Sequence, residues 1–222
     1  MEAHRTLLES YLITSALADP SEILRATLVR LLEGHDTSYE DANSTPRDMQ
    51  FELLIAALMT LGGISGVRMG EPDIQFKLGK RTVGVAAKRL RSPRKLVARV
   101  GDAFRQLERH GLQGMIALNL DSAAEVAFAK DGEAAAHPAV TGLVAQAAKR
   151  IDQMDPQGRV IGIVGFATVF AMSDSEDGYG FSLPTSIAMH WRVSKGMEDS
   201  VSSFSNDFGS TLTARLQSLL AT

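Results

Sequence analysis

Two alternating apolar runs joined by a glycine-containing dipeptide constrain this chain more than any other feature. In Asp73 to Leu78 the apolar residues are Ile74, Phe76 and Leu78; in Thr82 to Lys88 they are Val83, Val85 and Ala87. Alternation with period two predicts two strands, and Gly79-Lys80 between them has the length and composition of a two-residue hairpin turn. Such a turn pairs Leu78 with Arg81 and, without a slip, places Asp73 opposite Ala86. Because side chains alternate, Ala86 and Lys88 share a face, with Lys88 diagonal to Asp73. The hairpin therefore predicts a carboxylate and an ammonium meeting at its open end, away from the turn.

The flanking segments place this hairpin in an α/β setting. The first thirty-odd residues read as one or two helices, with Leu7, Leu8, Tyr11 and Leu12, then Ile23, Leu24, Leu28, Leu31 and Leu32, at helical spacing, broken at Asp19-Pro20-Ser21. Gly34 to Thr45 has loop composition. Thr45-Pro46 predicts a helix start and Gly62-Gly63 its end. Ser65 to Met69 reads as a further strand. Ser92-Pro93 opens a helix whose apolar stripe is Leu96, Val97, Val100, Phe104 and Leu107, ending at His110-Gly111. Gly114 to Asp121 reads as a strand, Ala139 to Ile151 as a helix, Val160 to Met172 as a buried strand, and Ser173 to Gly180 as an acidic loop. Thr185 to Val193 reads as a strand, and a helix from about Thr211 closes the chain.

Composition narrows the chemistry. The chain has 222 residues and no cysteine, which excludes disulfides, thiolate zinc sites and thiol nucleophiles. The five histidines, His4, His35, His110, His137 and His190, show no paired metal spacing, so a bound metal would be a hard cation held by oxygen. There is no phosphate-binding P-loop and no G-x-S-x-G elbow, and Gly162-Ile163-Val164-Gly165 reads as strand packing. No apolar run is long enough to span a bilayer and no secretion signal opens the chain, which predicts a cytoplasmic protein. The net charge is −3, yet Lys77 to Arg109 holds eleven lysines and arginines against Asp102 and Glu108 alone. A basic stretch in an acidic chain is the footprint of a surface that meets a polyanion.

Glu71-Pro72-Asp73, a strand, a tight turn, and then Val83-Gly84-Val85-Ala86-Ala87-Lys88-Arg89 resembles the signature of the PD-(D/E)XK nuclease superfamily. The likeness extends to a preceding helix carrying Glu52, a following basic helix carrying Gln106, and a strand ending Asn119-Leu120-Asp121, covering roughly residues 45 to 121. It implies a restriction endonuclease-like α/β fold with a central mixed sheet flanked by helices. Residues 1–44 would form an N-terminal helical segment and loop. Residues 45–222 would form the α/β domain, with its core at 45–121 and a strand and helix extension at 139–222. It also implies Mg²⁺ or Mn²⁺ bound by Asp73 and Glu52, Lys88 stabilising charge on the phosphate, and Gln106 in the site. Arg89, Arg91, Arg94, Lys95 and Arg99 would contact phosphates of DNA.

One position departs from the signature: Ala86 stands where the family carries the Asp or Glu of its D/E-X-K motif. Three readings stay open. Ala86 is an introduced inactivating change, or another acid such as Glu52 or Glu71 replaces the ligand, or the chain is a degenerate relative that binds nucleic acid without cutting. Glu52 itself either approaches the metal, extends to solvent, or pairs with a nearby arginine such as Arg47. The expected function is thus a metal-dependent deoxyribonuclease in bacterial DNA processing or defence, inactive or altered at its site. A non-catalytic nucleic-acid-binding or scaffolding module is the first alternative, and a domain whose basic helix docks an acidic protein the second. Cutting both strands would suit a homodimer, though no residue marks its interface.

Overall fold

The computed structural model describes residues 2–17, 45–169, 171–175, 178–182 and 185–192, together with 210–212, 214–215 and 218. The expected helix around 23–32, the break at 19–21 and most of the loop before Thr45 lie outside these residues. Helix α1 (Glu2–Ala16) precedes α2 (Thr45–Leu61), a short strand β1 (Arg68–Met69), and the hairpin β2 (Ile74–Leu78) and β3 (Arg81–Arg89). A 3-10 turn (Pro93–Lys95) leads into α3 (Leu96–Arg109), followed by β4 (Gly114–Asn119), α4 (Asp121–Asp131) and α5 (Glu133–Met154). Strands β5 (Val160–Thr168), β6 (Ala171–Ser175), β7 (Gly178–Ser182) and β8 (Thr185–Trp191) come last. The residues described at 210–212, 214–215 and 218 are helical, where a closing helix was expected.

Six strands form one mixed sheet in the order β1-β2-β3-β4-β5-β8. Strands β3, β4 and β5 are parallel, and the remaining pairings are antiparallel. The hairpin register runs from Leu78↔Arg81 to Ile74↔Val85 without a slip, as the two-residue turn requires. Gly79 adopts φ +59°, a left-handed conformation that glycine accepts without a Cβ clash.

Each face of the sheet is buried, which explains the near-continuous apolar runs in its central strands. On one face Phe76, Val83, Val85, Ala87 and Ile161 pack with Leu12 and Ile13 of α1 and with Phe51 and Leu53 to Met59 of α2. On the other, Ala86, Ile116, Leu118 and Ile163 pack with α3, α4 and α5 through Leu96, Val100, Leu107, Val140 and Ile151. The result is a three-layer α/β arrangement. Gly84 and Gly114 let α3 come close: a Cβ on Gly84 would lie 2.8 Å from Pro72 Cγ and 3.2 Å from Leu107 Cδ2. One on Gly114 would overlap Leu107 Cδ2 and the Gly84 carbonyl.

Several expected elements differ. The strand expected over 65–69 is reduced to two residues. Asp121 does not end β4 but begins α4, a helix the sequence pattern did not reveal, and α5 starts well before Ala139. The strand expected from Val160 through Met172 divides between β5 and β6, and the expected acidic loop is instead part of a β6-β7 hairpin. The β6-β7 ladder keeps the register of β5-β8: Thr168↔Thr185 is followed, three positions out on each strand, by Ala171↔Ser182 and finally Ser175↔Gly178.

Candidate functional site

Strand β3 outruns its partner. The ladder with β2 stops at Ile74↔Val85, while β3 continues to Arg89 alongside β4. Beyond Val85 its outer edge therefore has backbone N–H groups that β2 does not pair, and an edge donor wants an acceptor. Asp73 supplies it. Its Oδ2 accepts from Ala87 N at 2.8 Å and from Lys88 Nζ at 3.0 Å. Its Oδ1 accepts from Gln106 Nε2 at 2.6 Å, and the same amide lies 3.3 Å from the Pro72 carbonyl. Both partners of the ion pair are largely buried, with side-chain exposures of 18% for Lys88 and 12% for Asp73.

Glu52 reaches this cluster from α2, in the opposite layer from Gln106. Its carboxyl is pushed up from 4.5 to about 7, first by burial and then by the negative charge of Asp73; Asp48 and Glu71 add to this, and Lys88 partly offsets it. Glu52 has no hydrogen bond or ion pair with the described residues, so it does not take Arg47 as its partner. Glu71, named as a replacement ligand, turns aside: its Oε2 lies 3.2 Å from His110 Nε2, one helical turn beyond Gln106. The expected site residues Glu52, Asp73, Lys88 and Gln106 are thus brought together where the two strands part.

Ala86 sits within this region but is fully buried, packed in the core cluster beneath the helices α3 and α5. Among the described residues no group of three or more His, Asp or Glu side chains forms a metal-binding set. Glu52 and Asp73 are the two carboxylates that could share a hard cation. Glu52 fits that role chemically, because a half-buried carboxylate repelled by a second one is stabilised by an added positive charge.

The basic residues divide. Arg91, Arg94 and Lys95 are exposed and Arg99 is half-buried, all at or just beyond the end of β3 that carries Lys88. Arg89, expected with them to contact phosphates, stands apart from these four. It alternates to the other face of β3 and lines a polar cavity with Glu9, Arg47, Gln50, Phe51, Asn119 and Asp121. Sequence reasoning missed this cavity; its trace was the polar pair Asn119 and Asp121 at the end of an otherwise apolar strand.

Comparison with protein-family models, curated proteins and solved structures finds no match to this chain. Among the described residues no helix is long and apolar enough to cross a membrane.

Proposed function

We propose that this protein is a metal-dependent deoxyribonuclease of the PD-(D/E)XK type, on a restriction endonuclease-like variant of its α/β fold, working without a carboxylate at position 86. The observation that carries the reading is the meeting of Asp73, Lys88, Gln106 and the electrostatically frustrated Glu52 at the open end of one hairpin. Glu52 and Asp73 would hold Mg²⁺ or Mn²⁺, which lowers the pKa of a bound water and polarises a phosphate oxygen. Lys88 presents its ammonium where negative charge develops on the phosphate. Gln106 fixes the Asp73 carboxylate, and Glu52, near neutrality in its own titration, can exchange a proton with solvent at working pH. Arg91, Arg94, Lys95 and Arg99 would hold flanking phosphates, giving affinity without sequence preference.

The test is cleavage of plasmid and linear DNA with Mg²⁺ and with Mn²⁺, comparing the chain with Lys88→Ala and Asp73→Asn. Cutting by the parent that both changes abolish supports the reading. Equal residual cutting by all three would assign it to a contaminant and remove the reading.

The burial of Ala86 favours a second reading, a nucleic-acid-binding module that does not cut. Both oxygens of Asp73 are already engaged by Lys88, Ala87 N and Gln106, so the cluster also serves as a structural clasp. This reading predicts DNA binding at low salt and no cleavage with either metal.

A further inference from the structure

The strand order puts β8 at one edge of the sheet. Arg192 N donates to Ile161 O at 2.9 Å, which fixes the phase of the β5-β8 ladder. Counting back along the register, Ser186, Ala188 and His190 turn their backbone N–H and C=O toward β5, while Ile187 and Met189 turn theirs outward. Among the described residues no further strand pairs with β8, and neither Ile187 nor Met189 has a backbone partner on that outer side.

Sheet edges are normally guarded against pairing with another chain by charge, proline, bulges or shortness. The opposite edge has such guards: β1 is two residues long and one of them is Arg68. Strand β8 is seven residues long, TSIAMHW, with no Asp, Glu, Lys, Arg or Pro, and its register with β5 has no bulge. The nearest guards, Pro184 and Arg192, lie just outside it, and Arg192 is turned onto Asp152 and Asp155. At the middle of the strand Met189 is 38% exposed. An unguarded edge with open backbone groups is a template for strand addition.

We infer that β8 pairs antiparallel with β8 of a second copy of this chain, about a two-fold axis at Ala188, so that the sheet continues across the interface. Ala188 lies midway between the two residues whose backbone groups point outward, so Ile187 of each copy meets Met189 of the other and their groups are paired on both sides of the axis. The same register sets apolar against apolar on the face where Ile187 packs toward the core. On the other face Ser186 meets His190, a hydroxyl and an imidazole that can share a hydrogen bond. No like charges face each other, and this self-match selects a second copy over an unrelated extended segment. Lys88, Leu118, Gly165 and Ala188 stand in one cross-strand row. Three strand spacings on each side and one across the axis therefore separate the two Lys88 residues by about 33 Å. Each candidate site keeps to its own chain, and the inference does not rest on the nuclease reading.

The experiment is analytical ultracentrifugation of the full chain across the micromolar range, where a reversible monomer–dimer equilibrium is expected. Met189→Lys places a guarding charge on the edge and should weaken the dimer by about tenfold or more. Met189→Pro removes an outward N–H, leaves the bonds to β5 in place and should act in the same direction. Position is read by cross-linking, which is clean because the chain has no cysteine. At the axis the two copies of residue 188 would face each other as a non-hydrogen-bonded pair about 4.5 Å apart, within disulfide reach. Ala188→Cys should therefore form a covalent dimer on mild oxidation, and Lys80→Cys, at the far hairpin turn, should not. A parent chain that stays monomeric throughout the range overturns the inference, whether or not the variants fold. So does a dimer that a folded Met189→Lys leaves intact and that Ala188→Cys fails to cross-link.

Discussion

Lys88 Nζ lies 3.0 Å from Asp73 Oδ2, immediately past the last β2-β3 pair at Ile74↔Val85. A partly buried pair at the fraying end of a ladder is supported from two layers, because Gln106 of α3 holds the other carboxylate oxygen. Lys88→Ala should leave Asp73 bound to Ala87 N and Gln106 and so preserve the fold. It should lower metal-dependent plasmid nicking by about two to three orders of magnitude, the scale of removing one transition-state charge stabiliser. Rate measurements beside a thermal melt separate the two effects.

Glu52 carries a pH signature. Its folded pKa of about 7 lies above the ordinary 4.5, so the folded chain holds a proton that the unfolded chain has released. This stabilisation is fully present below pH 4.5 and is lost as pH rises to about 7. Glu52→Gln should remove the slope and make the protein more stable above neutrality, by up to about 3 kcal/mol. Denaturant midpoints for both proteins at acidic and alkaline pH check the sign: a parent that gains stability between those limits, with Glu52→Gln flat, contradicts it. Added Mg²⁺ should lower the Glu52 pKa, read by NMR titration.

Ala86→Glu places a larger, charged side chain in a fully buried position beneath α3. Overpacking costs about 1 to 3 kcal/mol and a buried carboxylate adds to it. The expected outcome is a lower Tm and no gain in cutting. A variant that melts at the parent temperature and cuts faster would instead identify Ala86 as the vacancy of a missing ligand.

Arg91, Arg94 and Lys95 stand exposed at the end of β3. If they meet DNA phosphates, replacing each by Gln should weaken binding about equally for unrelated sequences and flatten the plot of log K against log salt by roughly 0.9 per contact. Binding isotherms at several salt concentrations measure this. A slope that survives the triple replacement places the interface elsewhere.

Asp155 locks the far end of the sheet. It is buried, accepts from Arg159 N and Val160 N, and pairs with Arg192 Nη1 at 2.8 Å. Burial alone would raise its pKa, but these donors outweigh it and hold the carboxyl below 3.8. Its stabilisation is present above that value and lost as pH falls through the lowered pKa. Asp155→Asn should cost about 1 to 3 kcal/mol at neutral pH, because the amide that replaces one carboxylate oxygen leaves a buried donor without its acceptor, while Arg192 keeps Asp152. Urea denaturation reads the loss directly.

The hairpin and its charged end were legible because a two-residue turn leaves one register, and one register decides which side chains share a face. That reasoning reached Asp73, Lys88 and, through the resemblance, Glu52 and Gln106. It failed for α4, whose sequence DSAAEVAFAKD carries no apolar stripe, so only the buried Ala123 and Ala124 mark its inner side. It failed for β6 and β7 because serine, glycine and aspartate look like loop residues, although here a ladder pairs them. The separation of Arg89 from the other basic residues was not legible, because a run of charge in sequence does not show the face of a strand; Lys88 and Arg89 are neighbours in the chain and lie on opposite sides of the sheet.

The shared register of β5-β8 and β6-β7 sets a rule for change. A single inserted residue on one strand would shift every outer pair and exchange the two sides of the ribbon. Insertions or deletions that are matched across the ladder leave every remaining pair intact. The hairpin can therefore grow or shrink only in whole rungs, each about 3.4 Å long, so its reach is a quantised property that evolution or design can alter without disturbing the sheet from which it extends.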